Sequence, residues 1–138
     1  MDVRIFKKSD TEAVVALWER CGLTVPWNDP RKDIDRKLTM QPELFLVGVA
    51  SNAIVGTVMG GYDGHRGWLY YLAIDPDYQH QGLGSFLITD VEKRLEVLGC
   101  PKINLMVRSR NKKVIAFYTS RGYEVDDIVG MGKRIVPD

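Results

Sequence analysis

The stretch from Trp68 to Gly84 constrains the fold more than any other part of the chain. Its first seven residues, Trp68–Ile74, are apolar or aromatic with a strong β tendency, which predicts a buried strand. Asp75-Pro76 ends this strand, because proline cannot donate a hydrogen bond to a ladder. Beyond Gly84, apolar residues recur at steps of four, four and three, as on one helix face: Leu87, Val91, Leu95 and Leu98. The sequence therefore predicts a strand, a glycine-bearing loop and a helix N-terminus in immediate succession.

The loop in this stretch has the features of an anion-binding site. The start of a helix leaves about four backbone N–H groups unpaired and carries about half a positive charge. Gly82 and Gly84 allow a phosphate to approach the backbone closely, because glycine has no Cβ. A Walker loop is disfavoured because no lysine follows Gly84, and a dinucleotide-binding fingerprint is disfavoured because Leu87 replaces its third glycine. The alternative is a tight turn without a ligand.

Two motifs together carry a resemblance to a known family. Gln79, Gly82 and Gly84 form a Gln-x-x-Gly-x-Gly pattern that resembles the acetyl-CoA loop of the GNAT N-acetyltransferase superfamily. That family's second cofactor motif, an Asn followed by A-x-x-Y/F-Y-x-x-x-G-F/Y, is matched by Asn111, Ala116, Phe117, Tyr118, Gly122 and Tyr123. The resemblance covers essentially the whole chain. It is closest to small bacterial acetyltransferases of the YpeA type and more distant from ribosomal-protein alanine N-acetyltransferases.

The resemblance implies a GNAT fold of the α/β (α+β) class. In this fold a mixed, mostly antiparallel central sheet of about six or seven strands is flanked by about four helices, and residues 1–138 form a single domain. The length of 138 residues, with 45% hydrophobic and 27% charged residues, suits one globular domain.

The resemblance also implies an acyltransferase that uses acetyl-CoA as its cosubstrate. A primary amine attacks the thioester directly in a ternary complex, and Tyr118 protonates the departing thiolate. Asn111 bonds the pantetheine arm. The backbone of one strand segment holds the pantetheine and polarises the thioester, namely Leu72, Ala73 and Ile74. The loop contacts the pyrophosphate, mainly through backbone N–H groups, with Gln79, His80, Gln81, Gly82, Leu83, Gly84 and Ser85.

The general base and the acceptor stay open at this stage. Ribosomal-protein alanine N-acetyltransferases carry a glutamate base where this chain has Met106, so that activity is not carried over. Conceivable bases are Asp63, His65, Tyr70, Tyr71 and, through a water molecule, Asn104. Without a strong base, an acceptor with a low-pKa amine is expected, such as an amino acid, a small metabolite or a peptide N-terminus. The alternatives are a protein lysine acetyltransferase, an inactive acetyl-CoA-binding regulatory module and a small interaction domain.

Composition and sequence patterns argue against several other classes of protein. The 19 basic and 18 acidic residues nearly cancel, which argues against a bulk nucleic-acid binder. No apolar run approaches the roughly 18 residues of a membrane span, and the N-terminus lacks a secretory signal, so a cytoplasmic protein is expected. Cys21 and Cys100 lack metal-ligand spacing with either histidine, and no metal is predicted. A homodimer is possible.

The rest of the chain is assigned from local patterns. Ser9 and Glu12 form a predicted capping box for a first helix, and Asp29-Pro30 starts a second one. Trp27, in the loop between them, is a candidate for lining the acceptor pocket. Strands are predicted over Val3–Phe6, Leu44–Ala50, Ile54–Tyr62, Lys102–Arg108 and, as one or two strands, Glu124–Val136. Asn111 opens the last helix.

Overall fold

The computed structural model describes all 138 residues and contains five strands and four α-helices. In chain order these are β1 (Asp2–Ile5), α1 (Thr11–Arg20), α2 (Pro30–Leu38), β2 (Phe45–Ala50), β3 (Ala53–Tyr62), β4 (Gly67–Ile74), α3 (Leu83–Val97), β5 (Ile103–Leu105) and α4 (Lys112–Ser120). Short 3-10 turns cover Lys8–Asp10, Pro42–Leu44 and Pro76–Tyr78.

The chain forms two compact units. The first comprises Met1–Asn104 together with Asp138, and the second comprises Leu105–Pro137. The single domain expected over residues 1–138 stays a prediction. None of the helices combines the length and apolarity needed to cross a bilayer.

The strands form one sheet in the order β1-β2-β3-β4-β5. The first three pairings are antiparallel, and Ser51-Asn52 makes the tight turn between β2 and β3, with both residues at positive φ. The α/β class is confirmed, with five strands in place of the six or seven predicted. A run of β-prone residues forms a strand only when a partner edge accepts its hydrogen bonds.

Of two strand predictions in the C-terminal part, the first was too long and the second was wrong. The strand predicted over Lys102–Arg108 is only three residues long, and Glu124–Val136 contains no strand. Asp126-Asp127, Gly130 and Gly132 interrupt that segment with residues that are depleted in strands. Its apolar side chains are instead 62% to 95% exposed: Val125, Ile128, Val129, Met131, Ile135 and Val136.

The core of the first unit lies on both faces of the sheet. On one face Trp18 of α1 and Ile34 of α2 are fully buried in a cluster that includes Phe45 and Met59. On the other face lie the apolar residues of α3, of which Leu87, Val91 and Leu95 are fully buried, as predicted. Leu98 was also expected to face inward, but it follows the last residue of α3 and is 45% exposed.

Glycines in β3 bring α3 very close to the sheet. A Cβ at Gly56 would lie 2.9 Å from a methyl group of Leu87, and one at Gly60 would lie 2.7 Å from a methyl group of Val91. The structure shows that the group approaching these glycines is a helix.

The N-terminal capping box predicted for Ser9 and Glu12 was wrong, because Asp10 directs the local structure. The Asp10 carboxylate accepts two hydrogen bonds from Arg4, at 2.8 and 3.0 Å, and one from the backbone N–H of Lys7 at 2.8 Å. These bonds close the 3-10 turn at Lys8–Asp10, so α1 begins only at Thr11.

The loop between α1 and α2 has ordered ends, and its second end forms as predicted. Gly22 follows α1 at a φ of 70°, in the left-handed conformation that ends many helices. The side chain of Asp29 accepts a hydrogen bond from the Arg31 N–H, at 2.9 Å, and so caps α2.

Candidate functional site

A bulge in β4 is the first feature of the site. The register between β3 and β4 pairs Thr57 with Ala73 and Met59 with Tyr70, so β4 contains one extra residue in this interval. Tyr71 adopts a φ of 51°, which is rare for a residue with a side chain. The Thr57 hydroxyl donates to the Tyr71 carbonyl at 2.8 Å and accepts from the Trp18 indole at 2.9 Å. These two buried bonds hold the bulge in place.

The second half of β4 extends beyond its neighbour β5. β5 has only three residues, and the adjoining Lys102 carbonyl accepts from the N–H of Gly67, the first residue of β4. The eight-residue β4 therefore continues past any pairing that β5 can offer. This leaves one edge of the predicted pantetheine segment, Leu72–Ile74, without a partner on β5, and on that segment the Ile74 carbonyl accepts from the Cys21 thiol and the Gln79 amide.

The loop after β4 is tied to the end of the strand. The Asp75 side chain accepts from the Asp77 N–H at 3.0 Å, which starts the turn at Pro76. The Gln79 side-chain amide donates to the Ile74 carbonyl at 3.2 Å. Gln79 thus brings the loop next to Leu72–Ile74, and its side chain serves the fold of the loop.

Free backbone donors cluster where the loop enters α3. Gly82 precedes the helix at a φ of 80°, and a Cβ on it would meet no atom within 4 Å. The first helical hydrogen bond runs from the Phe86 N–H to the Gly82 carbonyl at 3.2 Å. The N–H groups of Leu83, Gly84 and Ser85 therefore have no partner within the protein. These donors lie at the positive end of a 15-residue helix, which suits an anionic ligand.

An open groove of about 670 Å³ begins at this helix end and follows the outer side of α3. It is lined at helical spacing by Gly82, Ser85, Phe86, Thr89, Asp90, Lys93, Arg94 and Val97. Phe86 is 63% exposed, and Asp90 pairs with Arg94 at 2.6 Å. The groove offers an aromatic surface and cationic side chains beside the free donors.

The remaining predicted residues, Asn111 and Tyr118, lie in the second unit at the start and near the end of α4. Asn111 precedes α4, and its side-chain oxygen accepts from the Val114 N–H at 3.4 Å, a long capping bond. Tyr118 is 7% exposed, and its ring meets the edges of Phe117 and Tyr123 at centroid distances of 5.2 and 5.3 Å. Burial raises the pKa of Tyr118 to about 12, so its hydroxyl is protonated at neutral pH.

The structure narrows the choice of general base. Asp63 closes the β3–β4 turn by accepting from the backbone N–H groups of His65 and Arg66, at 2.8 and 2.7 Å. These bonds lower the pKa of Asp63, which makes it a weak base. His65 lies exposed in that turn, and Met106 is 74% exposed. Burial raises the pKa of Tyr70 and leaves its hydroxyl neutral.

A polar cluster that the sequence analysis missed lies beside the bulge. The Tyr71 hydroxyl donates to Asp33 Oδ2 at 2.7 Å, and the Asn28 side-chain amide donates to the same oxygen at 2.6 Å. Burial, followed by the bond to Asp33, raises the pKa of Tyr71. In the sequence Asp33 is an ordinary acid in the first turn of a helix, and no local signal connects it with β4.

Comparisons with known proteins agree with this geometry. Residues 9–123 match the family model described as the acetyltransferase (GNAT) family. An acetyltransferase of Yersinia enterocolitica is 53% identical over 138 residues, which cover 100% of this chain and 98% of that protein.

Solved structures share the fold. The ribosomal-protein-S18-alanine N-acetyltransferase from Escherichia coli superposes with a TM-score of 0.73 at 25% identity, over 88% of this chain and 76% of that one. The PaiA N-acetyltransferase from Thermoplasma acidophilum, solved in complex with coenzyme A, gives a TM-score of 0.75 at 21% identity, over 94% and 92%. With most of its length matched by the family model and a relative above 50% identity, the chain belongs to the GNAT acetyltransferase family.

Proposed function

We propose that this acetyltransferase transfers the acetyl group of acetyl-CoA to a primary amine by direct attack in a ternary complex. The observation that carries the proposal is the free N–H array of Leu83, Gly84 and Ser85, which the loop after the bulged strand β4 leads into. Such an array at a helix N-terminus binds a pyrophosphate without the need for a lysine or a metal ion.

In this proposal the strand and the loop hold different parts of the cofactor. The free edge of Leu72, Ala73 and Ile74 bonds the pantetheine and polarises the thioester carbonyl. The backbone of His80, Gln81, Gly82, Leu83, Gly84 and Ser85 binds the pyrophosphate, while Gln79 fixes the loop to the strand. Asn111 bonds the pantetheine arm, as the family resemblance implies.

Tyr118 is the proposed general acid. The amine nitrogen forms a bond to the thioester carbonyl carbon, the C–S bond breaks, and the sulfur receives a proton from Tyr118. The nitrogen loses its surplus proton to solvent or to a base. Tyr118 is protonated over the whole neutral range and so has a proton to donate, but burial raises its pKa to about 12, so this proton is shared only as charge develops on the sulfur.

The proposed acceptor is an amine of low pKa, in an amino acid, a small metabolite or a peptide N-terminus. At pH 7, deprotonating a lysine costs roughly 4.6 kcal/mol, whereas deprotonating an α-amino group costs roughly 1 kcal/mol. Neither Met106 nor Asp63 supplies a strong base, so an acceptor whose amine costs less free energy to deprotonate is favoured. Two matched peptides, one with a free N-terminus and a blocked lysine and one with the reverse, test this preference. Faster acetylation of the lysine peptide would contradict it.

The cofactor site is tested by substitutions in the loop. Gly82→Val and Gly84→Val place a branched side chain beside the free donors, and calorimetry should show acetyl-CoA binding weakened by roughly tenfold or more. Gly99→Val is the matched control for Gly82→Val, because Gly99 follows the other end of α3 at a φ of 85° and also has open space around its Cβ. Both changes add similar backbone strain, of about 1–2 kcal/mol.

The outcomes separate the site from general strain. We expect the control to bind acetyl-CoA like the wild type. Unchanged affinity in both loop variants would rule out this site. If acetyl-CoA binds but no amine among peptides, amino acids and small amines releases the thiol, the protein is a cofactor-binding module.

A further inference from the structure

The polar cluster beside the β4 bulge contains a carboxylate with one occupied and one open oxygen. Asp33 Oδ2 accepts short hydrogen bonds from Tyr71 and Asn28, at 2.7 and 2.6 Å. Asp33 Oδ1 has only a long contact with Arg36, at 3.4 Å, and the side chain is 23% exposed. That arginine makes its short contact elsewhere, at 2.6 Å to Asp138. The hydrogen bonds to Oδ2 therefore orient the Asp33 carboxylate, while Oδ1 remains able to receive a cation.

The position of this carboxylate is fixed by the core. The Tyr71 ring stacks on the fully buried Trp18 with centroids 3.7 Å apart and planes 11° apart. The Tyr71 backbone is held by the Thr57 hydroxyl. Asp33 therefore lies one hydrogen bond away from the residue that directly precedes Leu72–Ile74.

Other carboxylates near β4 are neutralised or distant. Asp75, at the end of the strand, pairs with Arg20 at 2.8 Å and is 15% exposed. Asp63 belongs to the turn before Gly67, and the four residues from Gly67 to Tyr71 span roughly 13 Å. Its oxygens already accept from two backbone N–H groups and from Trp68. Asp33 is the one of these three whose carboxylate is hydrogen-bonded to a residue of the bulge, and its Oδ1 has only the 3.4 Å contact with Arg36.

We infer that Asp33 binds the ammonium group of the acceptor and brings it to the β4 bulge, with Tyr71 and Asn28 as positioning residues. The inference rests on the proposed function and adds to it how the acceptor is recognised. An α-amine is mostly protonated at pH 7, so it arrives as a cation and loses its proton before attack. The step assigned to Asp33 is binding alone, and it forms or breaks no covalent bond. The acceptor class is thus a cationic amine, selected over neutral nucleophiles by charge.

The test compares a cationic with a neutral nucleophile in Asp33→Asn, which keeps the shape of the side chain and removes its charge. Glycine amide, an α-amine, is the cationic probe, and hydroxylamine is the neutral one at pH 7. We expect the KM for glycine amide to rise roughly tenfold or more, because a charge-assisted bond is lost. The kcat, the KM for hydroxylamine and the affinity for acetyl-CoA should change by less than about threefold. Asp35→Asn, at an exposed position on the same helix, is the matched control and should change none of them.

Two further measurements distinguish recognition from a structural role. In the wild type, added salt should raise the KM for glycine amide and leave that for hydroxylamine unchanged, because salt screens the attraction of a cation. The salt measurement needs no variant, so its result can be interpreted even if Asp33→Asn is poorly folded. Tyr71→Phe, which keeps the ring on Trp18 but loses the bond to Asp33, should give a smaller rise in the KM for glycine amide.

The results separate this inference from the proposed function. A wild-type enzyme that acetylates both probes, with a glycine amide KM insensitive to salt and to Asp33→Asn, would overturn the inference and leave the proposed function standing. If neither probe is acetylated, calorimetry of glycine amide with the CoA-bound protein decides. If glycine amide binds the wild type but not Asp33→Asn, the inference is supported although the proposed function fails. If it binds the wild type and Asp33→Asn equally, or binds neither of them, the inference is overturned as well.

Discussion

Replacing Tyr118 by phenylalanine tests the chemistry most directly, because it removes one hydroxyl and keeps the ring contacts with Phe117 and Tyr123. Burial raises the pKa of Tyr118 to about 12. A free thiol, taken as a proxy for that of CoA, has a pKa of about 8.5. Complete proton transfer from this tyrosine to the thiolate would then be uphill by about 5 kcal/mol. The proton must therefore be shared while negative charge develops on the sulfur.

This magnitude leads to two expectations. The chemical rate constant of Tyr118→Phe should fall by roughly 10²-fold or more, while the acetyl-CoA affinity stays within about twofold of the wild type. Because the raised pKa keeps the hydroxyl protonated, the pH dependence of kcat/KM should show no descending limb from Tyr118 below about pH 11. A descending limb that starts near pH 8 and disappears in Tyr118→Phe would mean that bound acetyl-CoA lowers the pKa of Tyr118.

Single-turnover measurements of thiol release give the chemical rate constant, and calorimetry gives the affinity. Tyr62→Phe is the control, because its hydroxyl makes only weak contacts of 3.3 and 3.5 Å with the carbonyls of Gly64 and Gly99. The control should react at the wild-type rate. If Tyr118→Phe also reacts at that rate, the assignment of Tyr118 as the acid is wrong.

Two further predictions concern stability and are measured by urea unfolding followed by tryptophan fluorescence. Gly60→Ala places a Cβ 2.7 Å from a methyl group of Val91 and should cost about 1–3 kcal/mol, whereas Gly61→Ala meets nothing closer than 3.8 Å and should be neutral or stabilising by up to about 1 kcal/mol. Equal stabilities would refute the close packing of α3. Asp10→Asn should cost about 1–2 kcal/mol at pH 7. The bonds from Arg4 lower the pKa of Asp10, so its stabilisation exists above the unfolded pKa of about 4 and is lost as the pH falls through the folded value. The difference between the two proteins should therefore shrink as the pH falls below about 4 and vanish once the pH lies below the folded pKa of Asp10, and a constant difference would contradict this origin.

Features set by neighbouring residues could be predicted from the sequence. Asp29-Pro30 caps α2, and the glycine at position 82 precedes α3 in the left-handed conformation. In each case a short segment has few alternatives, since proline restricts φ and glycine tolerates positive φ. The strand, loop and helix of the candidate site belong to this class, which is why its main element could be located in advance.

Features that depend on distant partners could not be predicted. The hydrogen bond between Tyr71 and Asp33 joins residues 38 positions apart, and it depends on a bulge that turns one side chain toward α2. The residue before α1 is Asp10 and not the predicted N-cap Ser9, because Arg4, on β1, supplies a partner for the Asp10 carboxylate. Glu124–Val136 contains β-prone apolar residues but forms no strand, because Asp126-Asp127, Gly130 and Gly132 interrupt them and no strand edge pairs with the segment.

The close seating of α3 on β3 also affects the thermodynamics of cofactor binding. Leu87 packs over Gly56 one turn after the start of the helix, and Val91 packs over Gly60 one turn further on. The free N–H groups at the helix start are thereby held in place by the core before any cofactor arrives. A phosphate that binds there orders little of the protein, so most of the interaction energy appears as affinity. The loop should therefore differ by no more than about 1 Å between the free and the acetyl-CoA-bound protein.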